Sequence, residues 1–256
     1  MSVDACASLL RQGDPDRFLA TMTAPPGDRA ALLVLYAFNL ELARIPWVTN
    51  EPVIAEMRLQ FWADVIEAIQ QGRPARAHEV AGPLAVLLAE KSLPVSLFSE
   101  MIAARQFDIY KEPHMSDAAL AMYLDHTAGH LMWLGCLALG ADHNLQIPVR
   151  NAALGAGTAA YLRAVPALTA SGRQPLVDAS DAGIARLAQT GLDGLHLARK
   201  TEFPARILPV LRAGWLAKPI LTSACKTPQA VTENRLYPSE FYRRSLLLAK
   251  TLTGRW

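Results

Sequence analysis

Cysteine is scarce: three residues in 256, at Cys6, Cys136 and Cys225, all far apart. An odd, scattered set offers neither a disulfide framework nor a metal knuckle, so the three read as reduced thiols. Long hydrophobic runs are also missing. Long uncharged stretches such as Ala31 to Leu40 and His126 to Ala141 fall short of the roughly 18 apolar residues that a bilayer-spanning helix needs. No segment is therefore expected to cross a membrane. The first residues carry Asp4 ahead of Arg11 and lack an apolar core with a small-residue cleavage site, so a cytoplasmic setting is expected. Zinc-finger spacing, RNA-binding signatures and aromatic-basic repeats are absent, which argues against nucleic acid as a partner. There is no internal repeat and no low-complexity linker.

What is present is apolar: 52% of the residues are hydrophobic and 19% charged. A chain of this length and composition suits one domain spanning residues 1–256. Net charge is only +2, but it is unevenly spread. Residues 1–185 hold 13 basic and 19 acidic side chains, residues 186–256 hold 12 and 4. A basic C-terminal quarter can attract phosphate groups, an anionic membrane surface or an acidic protein, or can simply be a solvated face. Residues 238–256 stand out as a basic amphipathic segment, either the last helix of a bundle or an element lying on an anionic surface.

Apolar residues recur at helical spacing between short Pro, Gly and Asp punctuation. This pattern predicts an all-α single-domain bundle with helices over 28–45, 52–71, 79–90, 94–110, 116–140, 148–171, 181–200, 204–226 and 238–251. Asp28, Ser116 and Ser180 are expected N-caps, and Pro52, Pro94, Pro148, Pro204 and Pro238 suit helix starts. Pro46 and Pro166 fall inside or at the end of apolar segments and are expected to break or kink their helices.

Within the segment 30–44, Asn39 and Glu41 are polar in an otherwise apolar helix, and Arg44 lies one turn after Glu41. Buried, they would need partners, and Arg58 with its polar neighbours could face them, as a lock between two core helices or as a ligand site. His126 and His130 stand at i and i+4, a spacing that can place two imidazoles on one metal. No third ligand is visible beside them, so no metal site is assigned. Gly155-Ala156-Gly157 lacks the preceding strand and third glycine of a dinucleotide loop.

Several fragments, in order, are similar to one known family. They are Asp14-Pro15-Asp16-Arg17-Phe18-Leu19, the stretch Ala31 to Arg44, Glu56 to Asp64, Ala128-Gly129, Tyr161-Leu162-Arg163, Gly172-Arg173 and Leu208-Pro209. Together they resemble the squalene/phytoene synthase family over roughly residues 14–220. The resemblance implies an isoprenoid (terpenoid) synthase fold, in which active members join two prenyl diphosphates head to head using magnesium held by two aspartate-rich motifs. Those motifs would fall at Ala43-Arg44-Ile45-Pro46-Trp47 and Ala164-Val165-Pro166-Ala167-Leu168. Neither contains a carboxylate, and each contains a proline. The resemblance is nearest to the branch that includes the mitochondrial assembly factor for respiratory complex I, with similarly degraded motifs.

It implies a protein without prenyltransferase activity and without cofactor, which binds a hydrophobic or prenyl ligand or a protein partner in respiratory-complex assembly, with peripheral membrane contact. The alternative is an active prenyl transferase, with magnesium, in which Arg44, Arg58, Arg163 and Arg173 supply charge neutralisation. Ligand-binding candidates are Tyr36, Asn39, Glu41, Arg44, Arg58, Gln60, Trp62, Asp64, Tyr123, His126, Arg163 and Arg173. No catalytic residue and no metal ligand is assigned.

Overall fold

The computed structural model describes residues 2–49, 51–74 and 77–256, and among them there is helix but no strand. The order is α1 Val3–Gly13, α2 Pro15–Met22, α3 Pro26–Val48, α4 Pro52–Gln70, α5 Ala81–Lys91, α6 Val95–Tyr110 and α7 Asp117–Leu124. A π-turn, Asp125–Gly129, joins α7 to α8, His130–Ala138. Then come α9 Gln146–Ala170, α10 Asp181–Ala198, α11 Leu208–Leu211, α12 Ala217–Lys226, α13 Gln229–Thr232 and α14 Glu240–Leu252.

Helix α3 runs through the first core. Leu32, Leu35, Ala37, Phe38 and Leu42 have no exposed surface, and Phe38 meets Trp62 of α4 edge-on at 5.3 Å and Phe98 of α6 at 5.5 Å. By length and composition alone α3 could cross a bilayer, but most of its apolar surface is buried among the neighbouring helices. A second core forms where α9, α10 and α12 meet, around Leu162, Ile184, Ala188, Trp215 and Leu221.

Helices α9 and α10 approach closely because glycine lies at their contact. A Cβ on Gly155 would stand 2.8 Å from the Gly191 carbonyl oxygen, and one on Gly194 would stand 2.8 Å from that of Asn151. Gly155 and Gly157 therefore belong to helix packing in mid-α9, which accounts for the pair without a nucleotide.

Ser116 and Ser180 cap α7 and α10 as expected, each accepting from a backbone N–H three residues on at 3.1 Å. Asp28 does not cap: α3 starts at Pro26, and Asp28 in its first turn pairs with Arg206 at 2.9 Å. Pro46 and Pro166 do not end their helices, which run on to Val48 and Ala170. Each removes one hydrogen bond near a C-terminus, where few further bonds depend on it.

The segment 204–226 is not one helix. It divides into a 3-10 turn, α11, a second 3-10 turn and α12. Gly214 marks the division, since a Cβ there would stand 2.7 Å from that of Ala156 on α9. Helices α1 and α2 precede every predicted element. Cys6 and Leu10 anchor α1 in the core, and Asp14 caps α2 by accepting from the Arg17 N–H at 2.9 Å, with Pro15 following.

Candidate functional site: an arginine-lined central chamber

A chamber in two lobes lies between α2, α3, the π-turn, α9 and the α11–α12 segment, and Arg17, Ala128, Leu131, Gly157 and Ala160 line both lobes. Small residues on facing helices leave this space. A Cβ on Gly157 would stand 2.8 Å from that of Ala128, so α9 and the π-turn already touch, and no larger side chain from that position enters the chamber. π-Turns inside helices recur at binding sites. This one also places Thr127 on the wall, its hydroxyl donating to the Tyr123 carbonyl at 2.7 Å.

The outer lobe, about 280 Å³, is lined by Ala43, Pro46, Trp47, Ala164 and Leu168, with Asn39, Arg105, Asp108, Tyr123 and Arg173 as its polar wall. Asp108 organises that wall. It accepts from Arg105 at 3.0 Å, from Arg173 at 2.9 Å and from the Tyr123 hydroxyl at 2.9 Å. Arg173 also donates to the Asp108 backbone carbonyl, and Arg105 donates to the Tyr123 oxygen at 2.8 Å. Three arginines, 17, 105 and 173, line this lobe; Asp108 engages Arg105 and Arg173 together, and Arg17 pairs with Asp14 at 3.2 Å. The excess favours an anionic or polar group at the wall. Burial pushes the Tyr123 phenol well above its ordinary range, which keeps it a neutral donor.

The inner lobe, about 120 Å³, adds Asp14, Asp16, Tyr36, Arg163 and Trp215. Asp16 holds the C-terminal helix against α2: it pairs with Arg243 at 2.6 Å and accepts from the Tyr237 hydroxyl at 2.5 Å. Arg163 lies over the Tyr237 ring at 4.0 Å and is 3.8 Å from Asp16. The Tyr36 hydroxyl and the Trp215 indole N–H are both buried and, among the described residues, have no hydrogen-bond partner. Buried polar atoms are rarely left so, and both side chains line this lobe.

Of the sequence candidates, Tyr36, Asn39, Tyr123, Arg163 and Arg173 meet on the chamber. Glu41, Arg44, Arg58 and Trp62 line a separate groove with His78. Glu41 is only half-buried, so it is not the costly interior carboxylate expected; it lies 3.9 Å from Arg44 and 4.0 Å from His78. Gln60 is exposed on α4 and donates to Asp64 at 2.7 Å, away from both pockets. His126 lines a shallow outer pocket with Phe107 and Met122.

Arg17, Arg105, Asp108 and Tyr161 were not among the candidates. Arg105 and Asp108 at i and i+3 in the apolar helix α6 are the available sign, and Arg17 and Tyr161 stand in family-like fragments.

The structure also brings Glu100 to His126 and His130. His130 Nε2 lies 2.5 Å from Glu100 and its Nδ1 lies 3.2 Å from Arg150, which also pairs with Asp125 at 2.5 Å. A guanidinium can only donate, so Nδ1 accepts and the proton sits on Nε2, facing Glu100. Both His130 nitrogens are then engaged, by Glu100 and by Arg150. Burial holds the His130 pKa below its ordinary value, against the opposing pull of Glu100.

Residues 10–178 match the sequence model of squalene/phytoene synthase. The chain belongs to the squalene/phytoene synthase family. Among curated relatives, the bovine NADH dehydrogenase (ubiquinone) complex I, assembly factor 6 is 29% identical over 143 residues, covering 54% of this chain and 43% of that protein. The human protein of the same name is 28% identical with the same coverage. A 15-cis-phytoene synthase of Synechocystis is 24% identical over 139 residues, covering 54% of this chain and 41% of that protein. This chain thus spans less than half the length of these curated relatives. Among solved structures, a dehydrosqualene synthase superposes with a TM-score of 0.83 at 15% identity, covering 98% of this chain and 95% of that one. The squalene synthase HpnC from Alicyclobacillus acidocaldarius gives 0.60 at 17% identity, covering 98% and 94%. At such identities the superpositions establish the isoprenoid synthase fold.

The family's magnesium chemistry can be set against the residues present. Magnesium takes oxygen ligands in a near-octahedral shell. Of the two segments where the family resemblance puts chelating carboxylates, 43–47 and 164–168, the residues that line the outer lobe are Ala43, Pro46, Trp47, Ala164 and Leu168. The lobe's one lining carboxylate, Asp108, is already engaged by two guanidiniums and a phenol. Asp14 and Asp16 in the inner lobe are paired with Arg17 and with Arg163 and Arg243. These side chains do not fit a magnesium cluster.

Proposed function

We propose that this chain is a family member without prenyltransferase activity, whose chamber holds a hydrophobic ligand carrying a polar or anionic head group, and which serves the assembly of respiratory complex I. One observation carries the reading: from the two segments where chelating carboxylates are expected, Ala43, Pro46, Trp47, Ala164 and Leu168 line the chamber as apolar side chains, beside Arg17, Arg105 and Arg173. Ionising a prenyl diphosphate requires stabilising several negative charges on the leaving group. The four arginines that an altered synthase could use do not converge for that purpose. Arg44 and Arg58 face the outer groove, while Arg163 and Arg173 serve different lobes.

The outer lobe alone approaches the lower end of ordinary ligand-pocket volumes, about 300 Å³. The unpaired Tyr36 and Trp215 groups favour a polar occupant deeper in. The relatives named as complex I assembly factors support the assembly role. So does the surface beside the chamber mouth, where Trp47, Val48, Val53, Ile54 and Met57 are all exposed around the α3–α4 turn, a patch suited to a partner.

Deleting the gene and resolving respiratory complexes on native gels tests the assembly role: loss of mature complex I is expected, and normal complex I would end the proposal. In parallel, the purified chain incubated with farnesyl and geranylgeranyl diphosphates and magnesium is expected to yield no C30 or C40 product. Turnover above a boiled-protein control would restore the synthase reading.

A further inference from the structure

Away from the chamber, a surface groove of about 800 Å³ runs between the C-terminal ends of α10 and α14 and the first turn of α12. Arg199, Lys218, Lys250 and Arg255 line it, and Glu202 is its one carboxylate side chain. Among the described residues, none of these four cations forms an ion pair. Elsewhere on this protein arginines are regularly matched by carboxylates, as at Asp16, Asp108 and Asp178. Four cations gathered against one carboxylate repel one another at a cost in free energy, so their convergence here calls for an explanation.

Helix ends account for part of it. Arg199 follows α10 and Lys250 sits in the last turn of α14, where cations complement the helix dipole. Lys218 has no such reason, because it lies in the first turn of α12, the wrong end for a cation. Behind the groove, Arg212 is buried and, among the described residues, has no carboxylate partner. Its Nε donates to the Arg255 carbonyl at 2.8 Å, which pins the segment carrying Arg255. Burial, reinforced by the charges of Arg199, Lys218, Arg212 and Arg255, pushes the Lys250 ammonium down to about 8.

We propose that this groove is a second binding site, separate from the chamber, for a phosphate group. Two guanidiniums supply forked donors that match phosphate oxygens and two ammoniums supply point charges. Phe203 and Trp256 line the same groove, with Arg199 held over the Trp256 ring at 5.6 Å. The phosphate is either free in solution or the head group of an anionic lipid. Both present the same oxyanion to the same four cations.

The sign follows from linkage: a bound anion favours the charged lysine, so binding must raise the Lys250 pKa. With the lysines of the full chain 13C-dimethylated and the Lys250 signal identified by its loss in Lys250→Arg, its titration is followed in chloride, in inorganic phosphate and in pyrophosphate. A midpoint near 8 in chloride is expected to rise by about one unit at saturation, a tenfold effect. Lys218→Glu should abolish that rise. Lys226→Glu makes the same charge change about 12 Å along α12 and should leave it; both positions are exposed, so both variants should fold, which melting curves check.

Flotation with phosphatidylglycerol-containing vesicles against phosphatidylcholine alone separates the sources. Capture that Lys218→Glu abolishes and Lys226→Glu keeps assigns a lipid head group. A pyrophosphate response without capture assigns a soluble phosphate. No response of Lys250 to pyrophosphate together with no preference for anionic vesicles overturns the proposal. Equal losses in the two variants also overturn it, since bulk charge would then explain the binding.

Discussion

Asp108→Asn is the sharpest test of the chamber wall. The carboxylate holds Arg105, Arg173 and Tyr123 together, and the arginine side chains are only 16% and 12% exposed. Asparagine keeps the volume and one acceptor but removes the charge, leaving two largely buried guanidiniums without compensation. Removing one partner of a buried ion pair costs about 3–5 kcal/mol. Because the wall borders a chamber, about 3 kcal/mol is the appropriate end of that range. For a chain of this size each kcal/mol moves the melting temperature by about 2–4 °C, so a fall of roughly 6–12 °C is expected.

The control is Glu240→Gln. Its pair with Arg244 is 63% and 69% exposed, and such i,i+4 pairs contribute about 0.3–0.5 kcal/mol. Thermal melts followed by circular dichroism at matched ionic strength give both numbers. Adding Arg173→Met to Asp108→Asn should recover part of the loss, because it removes one of the stranded cations. A melting temperature for Asp108→Asn within about 2 °C of the unmodified protein would refute the claim that this network is buried and mutually dependent.

Three further outcomes are expected. Ala164→Phe, on the outer-lobe wall, should fill the space and cut uptake of an apolar fluorescent probe by about tenfold, read by fluorescence titration, while the fold persists in circular dichroism. Gly155→Ala should destabilise by about 1–3 kcal/mol in urea unfolding, because its Cβ would press within 2.8 Å of the Gly191 carbonyl oxygen; Gly27→Ala, with nothing within 4 Å of the new atom, should be neutral or slightly stabilising. His114 is buried and stacks on Phe107 at 4.3 Å, and burial lowers its pKa. The unfolded chain therefore takes up that proton first as pH falls below about 6.5, and stability should drop with acidification. His114→Phe should show a smaller drop in melting temperature between pH 7 and pH 5.

Much of the secondary structure was legible because its causes are local. Ser116 and Ser180 act within three residues of themselves, and the apolar spacing of α3, α4, α6 and α9 repeats within each helix. The errors came where distant packing overrides local preference. Gly214 breaks a predicted helix because α9 passes beside it, and α1 is short but is fixed by Cys6 and Leu10 in the core, against α3. The site was legible by half. Asn39, Tyr123 and Arg173 reached the chamber, while Arg44, Arg58 and Gln60, close in sequence to the chamber helices, point elsewhere. A shift of one residue turns a side chain about 100° around a helix, and the sequence does not state which face meets the cavity.

By itself the sequence determined the helical class, the family and the two places where chelating carboxylates are missing, since each is a property of residues within a few positions of one another. Only the tertiary structure decided that those places share one chamber wall. It alone paired Asp108 with Arg173, 65 residues apart, and Asp16 with Arg243, 227 apart. Such pairs depend on how helices rotate and cross against their neighbours, and the energy that fixes those angles is spread over the whole core.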